Sequence, residues 1–295
     1  MKEMIQKSIG IFYFSGTGNT KLVAEMIREE FMNNGYEVDL IKIEDVIKGS
    51  NTFDPEKYKL IGIGCQVIGY STPNLINSFL DKLPKVRDAK VFIFRTAGGV
   101  APINYNASKT LIKKLSRKGY KVFHERMFSI GSNWIVKFDD SIMQQLYLAT
   151  KRKAAIMSKE VIAGQQRILK TGLKLRIING VTSPVFSLLI RFLSKDLKVN
   201  SSCTNCGLCV RNCPAGNIIE KNRKIKFKSS CSGCLRCVYS CHKNAMKFKH
   251  LTFIPVRGGY NVDEVVRRVN ESSLVNLETV KVPPFFNDYI RNDAS

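Results

Sequence analysis

The sequence predicts a doubly wound α/β domain with a five-stranded parallel sheet, followed by a small second domain. Two observations predict this architecture. Apolar, strand-like runs alternate with helical stretches over the first half of the chain, and a cysteine-rich segment at 201–246 repeats itself after 28 residues. A chain of 295 residues is long enough for two domains, each with its own apolar core.

Five apolar runs predict the strands: SIGIFYF (8–14), YEVDLIKI (36–43), KLIGIGC (59–65), KVFIFRT (90–96) and KVFHERMFSI (121–130). Helices are expected from Thr20 to about Asn33, in PNLINSFLDKL (73–83), in NASKTLIKKLSRKG (106–119) and from Asp139 to Ile162. Strands this apolar are typical of a parallel sheet that helices cover on both faces. The first domain is therefore expected to comprise residues 1–165.

The loop FSGTGNT (14–20) lies between the first strand and the first helix, where doubly wound sheets bind their ligands. A P-loop is excluded because no glycine precedes Lys21, and a dinucleotide fingerprint is weakened because Lys21 takes the place of its third glycine. A phosphate monoester, held by backbone N–H groups and by the hydroxyls of Ser15, Thr17 and Thr20, is the third interpretation. The alternative is that these residues only cap the helix.

This loop matches, at every specified position, the S/T-x-T-G-x-T loop with which flavodoxins bind the phosphate of FMN. The first domain thus resembles a flavodoxin, and the resemblance implies FMN as its cofactor. The implied phosphate loop comprises Ser15, Gly16, Thr17, Gly18, Asn19 and Thr20. The implied ring contacts are Gln66, Val67, Gly69 and Tyr70 in one loop and Thr96, Ala97, Gly98 and Gly99 in another.

Three further residues belong to this expectation. Tyr70 is the candidate for stacking on the flavin ring, with ordinary surface packing as the alternative, and Trp134 is a lesser candidate. Cys65, at the end of a strand, is expected to be a small buried apolar side chain rather than a redox group.

Eight of the nine cysteines form two runs with the spacing C-x2-C-x2-C-x3-C. Nine cysteines without a secretion signal indicate metal or redox chemistry rather than disulfides. The spacing is that of bacterial two-cluster ferredoxins, in which the fourth cysteine of each run ligates the other cluster. It assigns Cys203, Cys206, Cys209 and Cys241 to one 4Fe-4S cluster, and Cys231, Cys234, Cys237 and Cys213 to a second. Zinc is the weaker alternative, because zinc sites use paired C-x2-C motifs.

The resemblance implies a small α+β ferredoxin-like domain at residues 201–250. His242 stands where proline usually follows the last cysteine of such a run, which leaves the shape of that turn open. Taken together, the two halves resemble the fused flavodoxin-ferredoxin proteins of anaerobic bacteria and archaea. The resemblance implies an electron-transfer protein that couples one- and two-electron chemistry between its clusters, FMN and external partners. The alternative is a flavin-dependent reductase that acts on its own small-molecule substrate.

The charge is concentrated in one part of the chain. Of the net charge of +23, residues 151–250 contribute +18, with 21 basic and 3 acidic side chains. This asymmetry predicts an acidic redox protein as partner. Residues 166–200 are expected to form a basic, helical linker, either packed between the domains or in contact with an anionic membrane surface. Nucleic acid is not expected, because no known binding module is present and aromatic residues do not alternate with the basic ones.

The apolar stretch near the N-terminus is too short for a signal peptide, so a cytoplasmic location is expected. No 18 consecutive apolar residues occur, and a membrane-spanning helix is therefore not expected. Residues 251–295 form a C-terminal extension with one helix predicted in NVDEVVRRVNES (261–272), followed by an extended segment in VPPFFNDYI (282–290).

Overall fold

The first half of the chain forms the predicted parallel sheet. The computed structural model describes residues 7–271 and 284–292. Its first five strands are β1 (Ser8–Tyr13), β2 (Glu37–Lys42), β3 (Leu60–Gln66), β4 (Ala89–Thr96) and β5 (Tyr120–Phe128). They lie in the order β2-β1-β3-β4-β5, and all neighbouring pairs are parallel. The predicted fold class is confirmed.

Helices cover both faces of this sheet, because its central strands are apolar on both sides. They are α1 (Asn19–Asn33), α2 (Ile43–Lys48), α3 (Leu75–Lys82), α4 (Lys109–Ser116) and α5 (Asp140–Ile162), with 3-10 turns at Pro55–Lys57 and Pro102–Ser108. Helices α1 and α5 share one apolar cluster with the sheet, which includes Val23, Ile27 and Met157. Helices α3 and α4 share the other, which includes Phe79 and Leu111.

Backbone hydrogen bonds align three loops at the carboxyl edge of the sheet. The N–H of Phe14 donates to the carbonyl of Gly64 at 2.8 Å, and the N–H of Val67 donates to the carbonyl of Thr96 at 2.8 Å. The N–H of Ala97 donates to the carbonyl of Phe128 at 3.0 Å. The loops that follow β1, β3 and β4 therefore begin side by side.

A long helix, α6 (Leu173–Phe192), connects the two domains and continues into a 3-10 turn at Leu193–Asp196. Among the described residues, the segment Leu173–Asp196 is the one helix that is long and apolar enough to cross a membrane by length and composition alone. An 18-residue window within its 24 residues reaches a mean hydropathy of 1.4, and 22% of that window is buried. No spanning helix was expected from the sequence, because Gly180, Pro184 and Arg191 interrupt the apolar run; in the structure they do not end the helix.

The cysteine-rich segment folds into a small unit with two antiparallel strand pairs, β6 with β9 and β7 with β8. Its elements are β6 (Leu197–Val199), α7 (Leu208–Arg211), β7 (Ile218–Lys221), β8 (Lys224–Phe227), α8 (Arg236–Tyr239) and β9 (Met246–Phe248). A small apolar core formed by Leu197, Leu235, Met246, Phe248 and Ile254 holds these short elements together.

The C-terminal extension contains α9 (Val262–Glu271), where a helix was predicted, and α10 (Pro284–Arg291). The prediction of an extended segment at 282–290 is wrong for residues 284–290; residues 282 and 283 lie outside the described part of the chain. Proline suits the first position of a helix, where its missing N–H needs no partner. Phe286, Tyr289 and Ile290 then share one face, which packs on α5.

Candidate cofactor sites

The loop after β1 presents the positive end of α1 to a cavity. Gly18 precedes the helix with φ +104°, a conformation that favours glycine, and its N–H donates to Ser15 Oγ at 3.1 Å. The first turn of α1 contains no acidic side chain that would neutralise its N–H groups. Such a helix N-terminus attracts an anion.

Two hydroxyls of this loop are oriented by neighbouring elements. Thr20 Oγ1 lies 2.7 Å from Thr96 Oγ1 at the end of β4. Asn133 donates from Nδ2 to Thr17 Oγ1 at 2.8 Å. Because this bond uses Thr17 as an acceptor, its hydroxyl proton remains available to a ligand.

A cavity of about 420 Å³ lies beside this loop. Twelve of the fourteen predicted cofactor residues line it: Ser15, Gly16, Thr17, Asn19, Thr20, Gln66, Val67, Gly69, Tyr70, Thr96, Ala97 and Gly98. The other two do not. Gly18 immediately precedes α1, and the carbonyl of Gly99 accepts a hydrogen bond from Asn104 Nδ2 at 3.2 Å. The three loops of the sheet edge therefore converge on one site.

Part of this lining was not predicted from the sequence. The additional residues are Ile68, Asn104, Gly131, Ser132, Asn133, Ile135, Phe186 and Ile190, and Trp134, the lesser candidate, also lines the cavity. Residues 131–135 follow β5, so their place at the carboxyl edge of the sheet was a signal that could have found them. Phe186 and Ile190 come from α6, and no local pattern predicts that this helix reaches the cavity.

Arg95, at the end of β4, shapes the loop that follows it. Its side chain is fully buried and lies 3.5 Å from Glu125 Oε1. Its guanidinium donates to the carbonyls of Asn104 and Tyr105 at 2.7 and 3.3 Å. A buried charge needs such partners, and this one fixes the cavity wall at residues 97–105.

Tyr70 lines the cavity with φ +60°, in the left-handed region. Its ring meets that of Phe186 edge to face, with ring centroids 5.7 Å apart. This contact orients Tyr70 from the side of α6. Stacking on a flavin ring stays a prediction.

These residues fit FMN. Hydroxyls and the N-terminus of α1 offer donors for its phosphate, and amide, glycine and apolar side chains form the rest of the lining. In the described part of the chain, Tyr70 is the one titratable side chain of that lining, so no carboxylate there would repel the phosphate.

Cys65 lies outside this lining. It is fully buried in the core with Ile63 and Ile76. Burial raises the pKa of its thiol to about 12, which keeps it neutral and unreactive at physiological pH.

The eight remaining cysteines surround two separate small cavities. Cys203, Cys206, Cys209 and Cys241 line the first cavity, together with Cys237. Cys213, Cys231, Cys234 and Cys237 line the second. Each cavity thus combines three cysteines of one run with the fourth of the other, as the ferredoxin resemblance implies. Among the described residues, no three possible ligands lie close enough together to bind a single metal ion. The ligands of a cubane cluster lie farther apart than those of a single ion, because the cluster is larger.

The 28-residue repeat extends to the backbone. Three positions with positive φ in the first run recur in the second: Asn205 and Gly233, Gly207 and Leu235, Gly216 and Asn244. The turn after Cys241 closes with an N–H···O bond from Asn244 at 2.8 Å, and the turn after Cys213 closes with one from Gly216 at 3.2 Å. The two turns are therefore alike, although His242 replaces proline.

Backbone N–H groups also point at the fourth cysteines. Asn217 N–H donates to Cys213 Sγ at 3.2 Å, and Ala245 N–H donates to Cys241 Sγ at 3.3 Å. A third bond joins Gly233 N–H to Cys231 Sγ at 3.3 Å. Bonds of this kind stabilise negative charge on cluster ligands. The cysteines therefore fit 4Fe-4S clusters.

The second cavity lies against the phosphate loop of the first domain. A Cβ added to Gly16 would lie 2.6 Å from the carbonyl oxygen of Cys234. Arg236 crosses the contact, and its Nη2 donates to the carbonyl of Ser15 at 2.6 Å and to Glu44 Oε1 at 2.5 Å. The two domains are thus joined at the cofactor sites themselves.

Comparison with known proteins identifies both halves. Residues 11–131 match the flavodoxin family, and residues 202–246 match the 4Fe-4S dicluster domain family. The chain therefore carries an FMN-type flavodoxin domain followed by a 4Fe-4S cluster domain, an order consistent with the fused flavodoxin-ferredoxin family.

Individual relatives cover only parts of the chain. It is 41% identical over 61 residues to flavodoxin from Nostoc sp., a match that spans 21% of this chain and 32% of the relative. Among solved structures, an archaeal flavodoxin covers 52% of this chain and 99% of its own, at 16% identity and a TM-score of 0.36. Oxidised flavodoxin 2 from Bacillus cereus covers 53% and 98%, at 18% identity and a TM-score of 0.40.

Substitution of Thr17 by Val tests the phosphate site. We expect FMN affinity to fall about ten- to hundredfold, because a hydrogen bond to a charged group contributes about 1.5–3 kcal/mol. Fluorescence titration of the apoprotein measures the loss. Thr17→Ser, which keeps the hydroxyl, should bind FMN normally, and riboflavin, which has no phosphate, should not distinguish the variants. An equal loss of riboflavin affinity would show that Thr17 does not serve the phosphate.

Proposed function

We propose that this chain relays electrons between two 4Fe-4S clusters and FMN and exchanges them with external redox proteins. The clusters pass single electrons, whereas the flavin exchanges one or two, so that a chain holding both couples the two kinds of chemistry. The observation that carries the proposal is the contact between the cysteine loop at 231–237 and the phosphate loop at 14–20.

Two clusters are supported by the division of the cysteines. Each of the two cavities has its own complete set of four, with the fourth cysteine supplied by the other run. Because each cluster would need a cysteine from both runs, the two clusters would hold the two cysteine runs of the small domain together.

The packing supports an order of the centres. Cys213, Cys231, Cys234 and Cys237 would hold the cluster nearer to the flavin, here called the proximal cluster. A Cβ added to Gly233 would meet Ile68 Cδ1 at 2.5 Å and Ile190 Cγ2 at 3.0 Å, and both isoleucines line the flavin cavity. The other set, with exposed Cys206, would hold the distal cluster. External electrons would then enter or leave at the distal end.

Arg236 positions the cysteine loop at 231–237, which would hold three ligands of the proximal cluster. It lies between the ligands Cys234 and Cys237, and its guanidinium also donates to the carbonyls of Gly16 and Asn212 at 3.3 and 3.1 Å. It lies over the ring of Phe14, 5.8 Å from the centroid. A planar guanidinium with five donors can hold several acceptors at fixed angles, which a lysine cannot.

The lining of the flavin cavity favours this role over a reductase with its own substrate. Hydroxyl, amide and apolar side chains predominate there, with Tyr70 as the titratable group of the described lining. General acid-base chemistry on a substrate usually needs a carboxylate, histidine or lysine placed beside it. Phe186 and Ile190 also occupy one side of the cavity.

An acidic protein is the proposed partner at the distal end. Lys243 and His242 line the distal cavity, and Lys243 and Lys247 are exposed there. Residues 201–250 carry 10 basic side chains and 1 acidic one. Such a surface steers an acidic carrier toward the distal cluster.

Iron quantitation tests the two-cluster assignment. In anaerobically prepared protein we expect about eight irons per chain, and about four in each of the variants Cys213→Ala and Cys241→Ala, since each loses one cluster. Cys65→Ala removes the cysteine outside the two runs and should keep the full iron content. Iron that is unchanged by either ligand substitution would contradict the assignment.

The salt dependence of the electron-transfer rate tests whether the partner is acidic. The rate of electron transfer with an acidic ferredoxin should fall about tenfold or more from low to high ionic strength, because screening weakens steering. Lys243→Glu should lower the rate at low salt and have little effect at high salt. A neutral dye serves as control and should react equally in all cases. An electron-transfer rate with the acidic carrier that does not change with ionic strength would rule out electrostatic docking.

A further inference from the structure

The outer side of α6 is strongly apolar. Six large side chains on it are between 53% and 70% exposed: Leu173, Ile177, Val181, Val185, Leu188 and Leu189. With about 3.6 residues per turn, these positions fall on one broad side of the helix. A continuous apolar surface of this kind on a folded protein marks a site of interaction.

The inner side of the same helix is more polar. Asn179 is buried and donates from Nδ2 to the carbonyl of Ile103 at 2.6 Å. Ser187 Oγ lies 3.3 Å from Asn74 Oδ1. Polar groups thus help to attach the helix to the protein while large apolar groups face outward, which is the reverse of a helix that packs on a core and faces water.

Basic residues flank the apolar side. Lys170, Lys174 and Arg176 are exposed near its start, and Arg191 and Lys195 are exposed near its end. Residues 166–200 contain 7 basic side chains and 1 acidic one. Lysine and arginine at the ends of an apolar helix face match the headgroups of an anionic lipid surface.

We propose that α6 lies in the plane of an anionic lipid bilayer, with its outer side inserted among the lipids. Both ends of the helix are bound to the same folded body. Before it, the N–H of Glu125 donates to the carbonyl of Arg167 at 2.7 Å, and after it, the N–H of Lys249 donates to the carbonyl of Asp196 at 2.8 Å. The helix therefore lies on the membrane rather than across it.

Charge favours lipid over a second copy of the chain. Two copies joined through this face would bring together two sets of basic residues, whereas anionic headgroups neutralise them. The inner side of α6 also contributes Phe186 and Ile190 to the flavin cavity. A bilayer on the outer side would thus lie about one helix diameter, roughly 10 Å, from that cavity.

Vesicle flotation with the full, cofactor-loaded chain tests the proposal. We expect strong binding to vesicles of phosphatidylcholine mixed with phosphatidylglycerol and at least tenfold weaker binding to vesicles of phosphatidylcholine alone. The double variant Val181→Glu with Leu188→Glu should lose at least tenfold in binding to the mixed vesicles. Val136→Glu is the matched control, because Val136 is exposed but lies outside α6; it should bind as the unaltered chain does.

Equal iron and flavin contents would show that the variants are folded. Three results would overturn the proposal: no flotation with the mixed vesicles, flotation that the double variant does not weaken, or equal binding to the two kinds of vesicle. A fourth would assign the face to a second copy of the chain. In that case light scattering would show a dimer that the double variant dissociates, without vesicle binding by either protein.

Discussion

The contact between the cysteine loop at 231–237 and the phosphate loop at 14–20 is the constraint on which the molecule depends. The phosphate loop must leave its N–H groups and hydroxyls open to a ligand on one side. On the other side it is the surface on which the proximal cysteine loop packs, so Gly16 has no room for a side chain. Arg236 joins the cysteine loop to the carbonyls of Ser15 and Gly16 and to Glu44 of α2. Removing Arg236 would leave the buried Glu44 carboxylate without its counter-charge, which costs about 3–5 kcal/mol.

Segments that follow the parallel sheet enclose this contact. Tyr260, in the C-terminal extension, donates to Asn19 Oδ1 at 2.6 Å, and Val262 lies against Gly18. Tyr239 of α8 donates to the carbonyl of Asn133 at 2.6 Å and accepts a hydrogen bond from the N–H of Val256 at 2.8 Å. The cluster domain and the extension are therefore held to the edge of the sheet where the flavin site lies. A relay needs such attachment, since electron transfer requires centres that stay close together.

The sequence predicts what depends on local pattern. Apolar runs and helical periodicity located the five strands and their helices, and cysteine spacing divided the ligands into two sets, because both patterns follow from short-range geometry. The loop at 131–135 and the contacts of Phe186 and Ile190 depend on how distant elements pack, which no local pattern records. Arg95 reads as a charge inside an apolar strand, and only the fold gives it Glu125 and the carbonyls of the next loop. The segment at 284–290 was expected to be extended, whereas Pro284 begins a helix whose apolar face forms only against α5.

The most direct test of this account compares internal electron transfer in Cys213→Ala and Cys241→Ala after the remaining cluster is rapidly reduced, with the flavin spectrum as the signal. Cys241→Ala should retain fast exchange between cluster and flavin, because the proximal cluster remains beside the phosphate loop. Cys213→Ala should slow this exchange by orders of magnitude, because only the distal cluster remains. Fast exchange in Cys213→Ala together with slow exchange in Cys241→Ala would contradict the order of the centres, and equal rates in both would contradict a relay through the contact.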